Sequence, residues 1–410
     1  MLVTRKPSFQ DNRKETIFNE CLGSLIIRII KTIGINLECN HVAWWANMAT
    51  VAFVVCFFLQ TIELVTAENS ARLFECFSIL SFCSMGMLKL YFLRIYRKIW
   101  LHMLAQMRKL EKHVGHNEMP EEEYESDDDT LDLTVFVKNY TQQFESTSTL
   151  LSKIYRSTVT GFITSVFVEH ALLKGTDGWH ILPCWSGFDH VHVAIYMATI
   201  LMEFIASIYC VSVHLAFDRS AAGVMIFVKG QFLLLRRYCE NIAGKGRKCN
   251  ISNNRDRRAL YRIKYCHQRT LILNDIVEKL GKLLKNVMGI YYIQVTLTMC
   301  SVAIRLKMEV LSLTELFSLV QYLGATLTQL FLFCYFGSAV SDASTISLGQ
   351  GPTGSSYWCI SPRVRCHLAL LAIGTAQPRR LRAGPFYFLD LTSFTMIVRA
   401  AYSCYACLGK

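Results

Sequence analysis

The sequence predicts an all-α, polytopic membrane protein: seven transmembrane helices, an intracellular N-terminus and a cytoplasmic helical anchor. Three observations predict it. The 410-residue chain is 52% hydrophobic and only 18% charged, with a mean hydropathy of +0.29, too apolar to clothe a soluble surface. The apolar residues fall in blocks of about 20, the length that crosses a bilayer as a helix. The basic residues collect in every second connection, as the positive-inside rule demands.

Seven blocks qualify: Val42–Val65, Arg72–Leu93, Ile154–Leu173, Val191–Phe217, Leu283–Leu306, Thr314–Val340 and Phe386–Leu408. The seventh carries Asp390 and Arg399, unusual for a helix facing lipid alone. The first, third and fifth connections are short and poor in Lys and Arg. The long second, fourth and sixth connections hold most of the basic residues, among them Arg94, Arg97, Arg236, Arg237, Arg257, Arg258, Arg363, Arg365, Arg379 and Arg380. Together with Arg5, Lys6, Arg13 and Lys14 of the N-terminal segment they lie on one side of a seven-span weave. That side is the cytoplasm, which leaves the C-terminus outside. The sequons at Asn139 and Asn250 then face inward and are expected to stay unglycosylated.

Residues 1–41 form a cytoplasmic N-terminal segment, 42–340 carry helices one to six with a ligand pocket in their outer half, and 341–410 carry the anchor helix and the last span, all in one membrane domain. No apolar core of a signal peptide opens the chain. Leu22–Leu37 is apolar but interrupted by Arg28 and Lys31, too short to span, and reads as amphipathic or interfacial. The acidic run Glu118–Asp129 is expected to be a solvated loop without EF-hand spacing. Ala221–Tyr238 extends the fourth helix into the cytoplasm, and Tyr261–Leu284, with apolar residues at helical spacing, extends the fifth downward. The two form an intracellular stalk.

The composition excludes several chemistries. Sixteen Cys are scattered, most inside apolar blocks, where they behave as small hydrophobes. Cys404 and Cys407 form the only CxxC, without a second pair. No HExxH, Walker A, GxSxG or dinucleotide fingerprint occurs, so neither an enzyme, a metal nor a cofactor is expected. The net charge of +12 belongs to loops between spans, not to a basic, aromatic-interleaved surface, which speaks against nucleic acid.

Aromatic and soft side chains cluster in the outward halves of the spans. These are Phe77, Ser78 and Phe82 in the second, Phe162, Val166 and Phe167 in the third, and His192, Tyr196 and Thr199 in the fourth. Tyr291 and Tyr322 join them from the fifth and sixth. Rings with few polar tips suit a small apolar ligand. Buried ionisable residues are the other candidates: Glu203 near the middle of the fourth span, read first as a helix–helix hydrogen bond, and Glu169 with His170 at the end of the third.

The C-terminal third carries Trp358, Gln377-Pro378, Leu381, Ala383-Gly384, Phe386, Phe394 and Tyr402-Ser403, and the stalk carries His267. In this pattern, and in length and inverted seven-span plan, the chain resembles the insect odorant receptor family. The resemblance implies a tuning subunit of a ligand-gated, non-selective cation channel, a heterotetramer with a shared co-receptor in the plasma membrane of sensory dendrites, opened by a small volatile organic ligand. It places the anchor at 221–238, 261–284 and 358–376, and the pore beside Ser403, Ala406, Cys407 and Lys410, with Arg399 turned to a neighbouring helix. The Gly/Pro-rich stretch 349–354 departs from the family pattern and is expected to disturb the start of the anchor helix. A G-protein-coupled chemoreceptor would want an Asn-Pro in the last span, and a transporter would want internal repeats; neither feature occurs.

Overall fold

The computed structural model describes residues 21–39, 41–67, 70–115, 133–173, 180–185, 193–244, 251–308 and 313–407. The acidic run and the Asn250 sequon lie outside them, as do the side chains of Glu169 and His170. Among the described residues, regular structure is helical apart from two two-residue hairpins.

Helix α1 (Leu22–Lys31) buries Leu22, Ile26 and Ile30, and Ile33, Ile35 and Leu37 continue the buried row beyond it. Positions i, i+4 and i+8 make one apolar stripe. That stripe lies against the protein, on helices α4 (Arg97–Gly115) and α6 (Val193–Glu240), rather than on a bilayer surface. The interfacial reading is therefore corrected: the amphipathic pattern was real, but its partner is the protein core. Glu111 of α4 pins this corner, accepting the Leu22 N–H (3.1 Å) and the Tyr140 hydroxyl (2.9 Å). Burial pushes its carboxyl above the ordinary range, and those two hydrogen bonds oppose the shift. A hairpin of β1 (Ile35–Asn36) and β2 (His41–Val42) then leads into the first span.

The seven spans follow as α2 (Trp44–Thr66), α3 (Ser70–Ile95), α5 (Leu133–Leu173), α6, α7 (Asn253–Met308), α8 (Leu313–Asp342) and α11 (Leu391–Cys407). Five of them, α2, α3, α6, α7 and α8, are long and apolar enough to cross a bilayer on length and composition alone. Helices α6 and α7, with 48 and 56 residues, reach about 72 and 84 Å at 1.5 Å per residue. That is more than twice the roughly 30 Å hydrocarbon core, so each spans and projects. Segments 221–238 and 261–284 are their projections, as expected, and pack into a buried core through Val224, Ile226, Phe227, Leu235, Leu273, Ile276 and Leu280.

The Gly/Pro-rich stretch does not break the chain. A π-helical turn (Ala343–Ser347) runs from α8 into α9 (Leu348–Thr353), with Pro352 inside the helix. The irregularity is absorbed as a wider turn. The glycine serves close packing: a Cβ on Gly351 would sit 2.8 Å from the Cβ of Cys239 and 3.1 Å from the Arg236 carbonyl oxygen. Anchor helix α10 (Pro362–Thr375) starts with Pro at its first position, where Asp256 of α7 accepts the Ser361 N–H at 3.0 Å.

The seventh span is shorter than the sequence suggested. Residues 386–390 precede the helix: Tyr387 and Phe388 form β4, which pairs with β3 (Arg382–Ala383) in a hairpin. Gly384, at φ 69°, makes its turn and donates its N–H to the Lys285 carbonyl at 2.7 Å. Asp390 is then no membrane charge: its Oδ1 accepts the Ser393 N–H at 2.8 Å and caps the first turn of α11.

Candidate functional site

Two buried polar assemblies and one ring cluster lie within the bundle. The lower assembly draws on four helices. Lys89 of α3 donates to Asp218 Oδ1 of α6 at 2.6 Å and contacts His214 Nδ1 at 3.1 Å. Tyr155 of α5 (2.5 Å) and Gln329 of α8 (2.8 Å) both donate to Asp218 Oδ2. An ammonium donor at Nδ1 leaves the imidazole proton on Nε2, which meets the Phe82 carbonyl at 3.1 Å. The Lys89 and Asp218 side chains are 0% and 1% exposed. The ammonium also lies 5.6 Å from the Phe217 ring centre and 5.8 Å from that of Tyr291, a cation–π environment. Sequence reasoning passed over this group. The available signal was Lys89, a lone charge deep in the second apolar block.

Above it the predicted rings partly converge. Phe82 stacks on His214 with centroids 4.2 Å apart. Tyr322 of α8 donates to the Ser78 carbonyl of α3 at 3.3 Å, and buried Tyr291 of α7 reaches the Thr326 carbonyl at 3.4 Å. Ser81 and Thr298 share a hydrogen bond at 3.2 Å, and the Gln294 amide donates to the Ser81 carbonyl. Ser78, Phe82, Tyr291 and Tyr322 are thus brought together by three helices. Phe77 lies half-buried one position before Ser78, and Phe162 and Val166 are half-buried on α5, which Gln321 of α8 joins by donating to Ser157 Oγ at 2.8 Å. Phe167 is 52% exposed. The Thr199 hydroxyl turns back to Ile195 of its own helix. His192 lies outside the described residues.

Tyr196 belongs to the third group, at the outer end. Its ring meets His180 edge-on at 5.9 Å. Glu203, fully buried, accepts from His180 Nδ1 (2.8 Å), the Ile181 N–H (2.9 Å) and the Leu182 N–H (3.2 Å). The expected helix–helix bond is therefore a helix–loop bond: the carboxylate straps residues 180–185 across the bundle. Trp185 N–H reaches the Leu59 carbonyl of α2 at 3.4 Å, and Cys184 of the same segment is wholly buried against Cys56. One residue beyond Leu59, Gln60 is 1% exposed, and neither of its amide atoms has a hydrogen-bond partner among the described residues. Such a group costs about 1–3 kcal/mol. Gln60→Leu is expected to raise the thermal midpoint of the ligand-free receptor, measured in detergent. A lowered midpoint would mean that the amide has a partner.

Among the pore candidates, Ser403 and Ala406 are exposed on α11, and the Ser403 hydroxyl is bonded to the Arg399 carbonyl at 2.9 Å. Arg399 is exposed too. The Cys407 side chain and Lys410 lie outside the described residues. Among the described residues no group of His, Cys, Asp and Glu could hold a metal ion.

The fold is similar to solved insect receptors. The insect olfactory receptor OR5 from Machilis hrabei, in complex with eugenol, superposes with a TM-score of 0.75 at 12% identity, covering 94% of this chain and 97% of that one. A second structure of OR5 gives 0.74 at 13%, covering 94% and 96%. In sequence, odorant receptor 82a of Drosophila melanogaster is 22% identical over 223 residues, 54% of this chain and 55% of that one. A Drosophila melanogaster chain with the odorant receptor designation 85e is 23% identical over 185 residues, 44% and 38% respectively. The chain thus spans about half or less of the length of these two relatives. The profile of the 7tm odorant receptor family matches residues 69–402. That span takes in six of the seven membrane helices, the stalk and the anchor, and the chain belongs to the insect seven-transmembrane odorant receptor family.

Proposed function

We propose that this multi-pass membrane protein is the odorant-binding subunit of a ligand-gated, non-selective cation channel, assembled with a co-receptor as a heterotetramer in the plasma membrane of sensory dendrites. The observation that carries the ligand half is the convergence of Ser78, Phe82, Tyr291 and Tyr322 directly above the Lys89–Asp218 group. A ligand among these rings touches Phe82, which touches His214, so its binding energy reaches four helices. Phe77, Phe162, Val166, Phe167, His192, Tyr196 and Thr199 complete the proposed lining. The OR5 neighbour holds eugenol, a small phenol, and a small volatile organic molecule with one polar tip is the corresponding ligand class here. For the channel half, Ser403, Ala406, Cys407 and Lys410 of the last helix border the pore. A ligand opens it by favouring the open arrangement over the closed one.

The test is co-expression with the co-receptor and recording of currents against an odorant panel. Ligand-evoked cation current that persists when G proteins are blocked supports the proposal. Current that vanishes under that block would reject the channel. Tyr322→Phe and Phe82→Leu are expected to reorder ligand potencies by about tenfold, since shape steps in apolar pockets are worth about 1–3 kcal/mol. A uniform loss of current with unchanged rank order would move the pocket elsewhere.

A further inference from the structure

The hairpin of β3 and β4 gathers positive charge at one spot. The guanidiniums of Arg380 and Arg382 both converge on the Phe388 ring, 5.8 and 5.9 Å from its centre. Both arginines are exposed, and so is Lys285 of α7, whose carbonyl accepts the Gly384 N–H at the hairpin turn. Among the described residues none of the three has an acidic partner. Like charges held this close repel one another unless an anion meets them. The last residue of the turn, Phe386, is 85% exposed, an apolar ring set beside the cations.

Three helices agree on the depth of this hairpin. On α7, Lys285 lies 23 residues below the outer end at Met308, about 34 Å at 1.5 Å per residue. On α8, Gly337 packs so closely on Leu389 that a Cβ there would meet the Leu389 carbonyl. Gly337 lies 24 residues below Leu313, about 36 Å. On α2, Trp44, 77% exposed, marks the inner end 22 residues from Thr66, about 33 Å. The hydrocarbon core is about 30 Å thick, so all three depths fall at its inner edge, in the headgroup layer. The surface of α7 changes character at the same level. Its exposed residues above Lys285 are the apolar Ile290, Ile293 and Leu297, and below it the Glu278–Lys282 pair is exposed. A cationic cluster with a bare ring at this depth is complementary to an anionic headgroup joined to an acyl chain.

We propose that the hairpin binds one anionic phospholipid of the inner leaflet, its phosphate forked by Arg380 and Arg382 beside Lys285 and its acyl region met by Phe386. The site is independent of the channel reading, because its test needs no current. The full chain is reconstituted in phosphatidylcholine vesicles doped with photoreactive phosphatidylinositol bisphosphate, and the labelled peptides are mapped. Label concentrated on 380–388, weakened by added salt and displaced by the unlabelled anionic lipid but not by phosphatidylcholine, is the expected result. Arg380→Gln with Arg382→Gln should lower it about thirtyfold, at about 1 kcal/mol for each charge removed near the surface. Arg380→Lys with Arg382→Lys keeps the charge and should retain most of the label, which separates loss of charge from loss of fold. Phe386→Ser should lower the label at least about threefold. Label spread over the lipid-facing helices, or unchanged in the double Gln variant, would overturn the proposal. Equal competition by soluble inositol trisphosphate, with no effect of Phe386→Ser, would assign the cluster to a free phosphate. A Phe386→Cys receptor that cross-links to a second subunit would make the hairpin a subunit contact instead.

Discussion

Asp218→Ala is expected to strip the receptor from the cell surface. The substitution removes the acceptor for three donors at once: the Lys89 ammonium, the Tyr155 hydroxyl and the Gln329 amide. Both members of the ion pair are buried. Breaking a buried pair from one side costs about 3–5 kcal/mol, a large share of the roughly 5–15 kcal/mol that holds a typical folded domain. Lys89→Met should cost a similar amount, because it leaves a carboxylate in an apolar bundle with only neutral donors. The double variant Lys89→Met/Asp218→Leu separates charge from shape. It leaves no buried charge and is expected to recover part of the loss, though Tyr155 and Gln329 stay unpaired. Thermal melting of detergent-solubilised receptor and surface biotinylation measure all three. Single variants that melt and traffic like the unmodified receptor would show that the pair is not a structural joint of α3, α5, α6 and α8.

The spans were legible because a bilayer reads only length and hydropathy, and both are written in consecutive residues. The first span was placed at 42–65 and runs 44–66, and the sixth was placed at 314–340 and runs 313–342. The stalk was legible because its apolar residues return at helical spacing in polar surroundings. Inside the membrane that signal fails. Lipid and protein are equally apolar to a helix face, so nothing in the second block separates Phe82, which stacks on His214, from Leu73, which is exposed. The Lys89–Asp218 pair was illegible for another reason: its members lie 129 positions apart, and pairing across that distance is set by the packing of four helices. Asp390 and Pro352 misled in the opposite sense. Each looked like a fault in an element, but Asp390 caps a shorter helix and Pro352 sits inside a short helix that follows a π turn.

Glu203→Leu should free the outer strap while leaving the bundle folded. The carboxylate is the acceptor for His180 and for two successive backbone N–H groups, and it is wholly buried. Hydrogen bonds to a charged group are worth about 1.5–3 kcal/mol each, but the strap has an alternative that the helices lack: it can swing into water and be solvated. The loss is therefore paid locally, as opening of 180–185, rather than as global unfolding. An opening made easier by about 3 kcal/mol accelerates amide exchange at Ile181 and Leu182 on the order of a hundredfold, with little change at the buried stalk amides. Glu203→Gln tests the charge separately. Its amide keeps one acceptor oxygen but turns an NH2 toward donors, so it should fall between the two. The strap covers the end of the bundle nearest Tyr196, so a freed strap should also speed the rise and decay of ligand-evoked current more than it changes ligand rank order. Exchange at Ile181 and Leu182 that matches the unmodified receptor would mean that Glu203 does not hold the strap. Cys184 and Trp185, against Cys56 and Leu59, would then be its anchor.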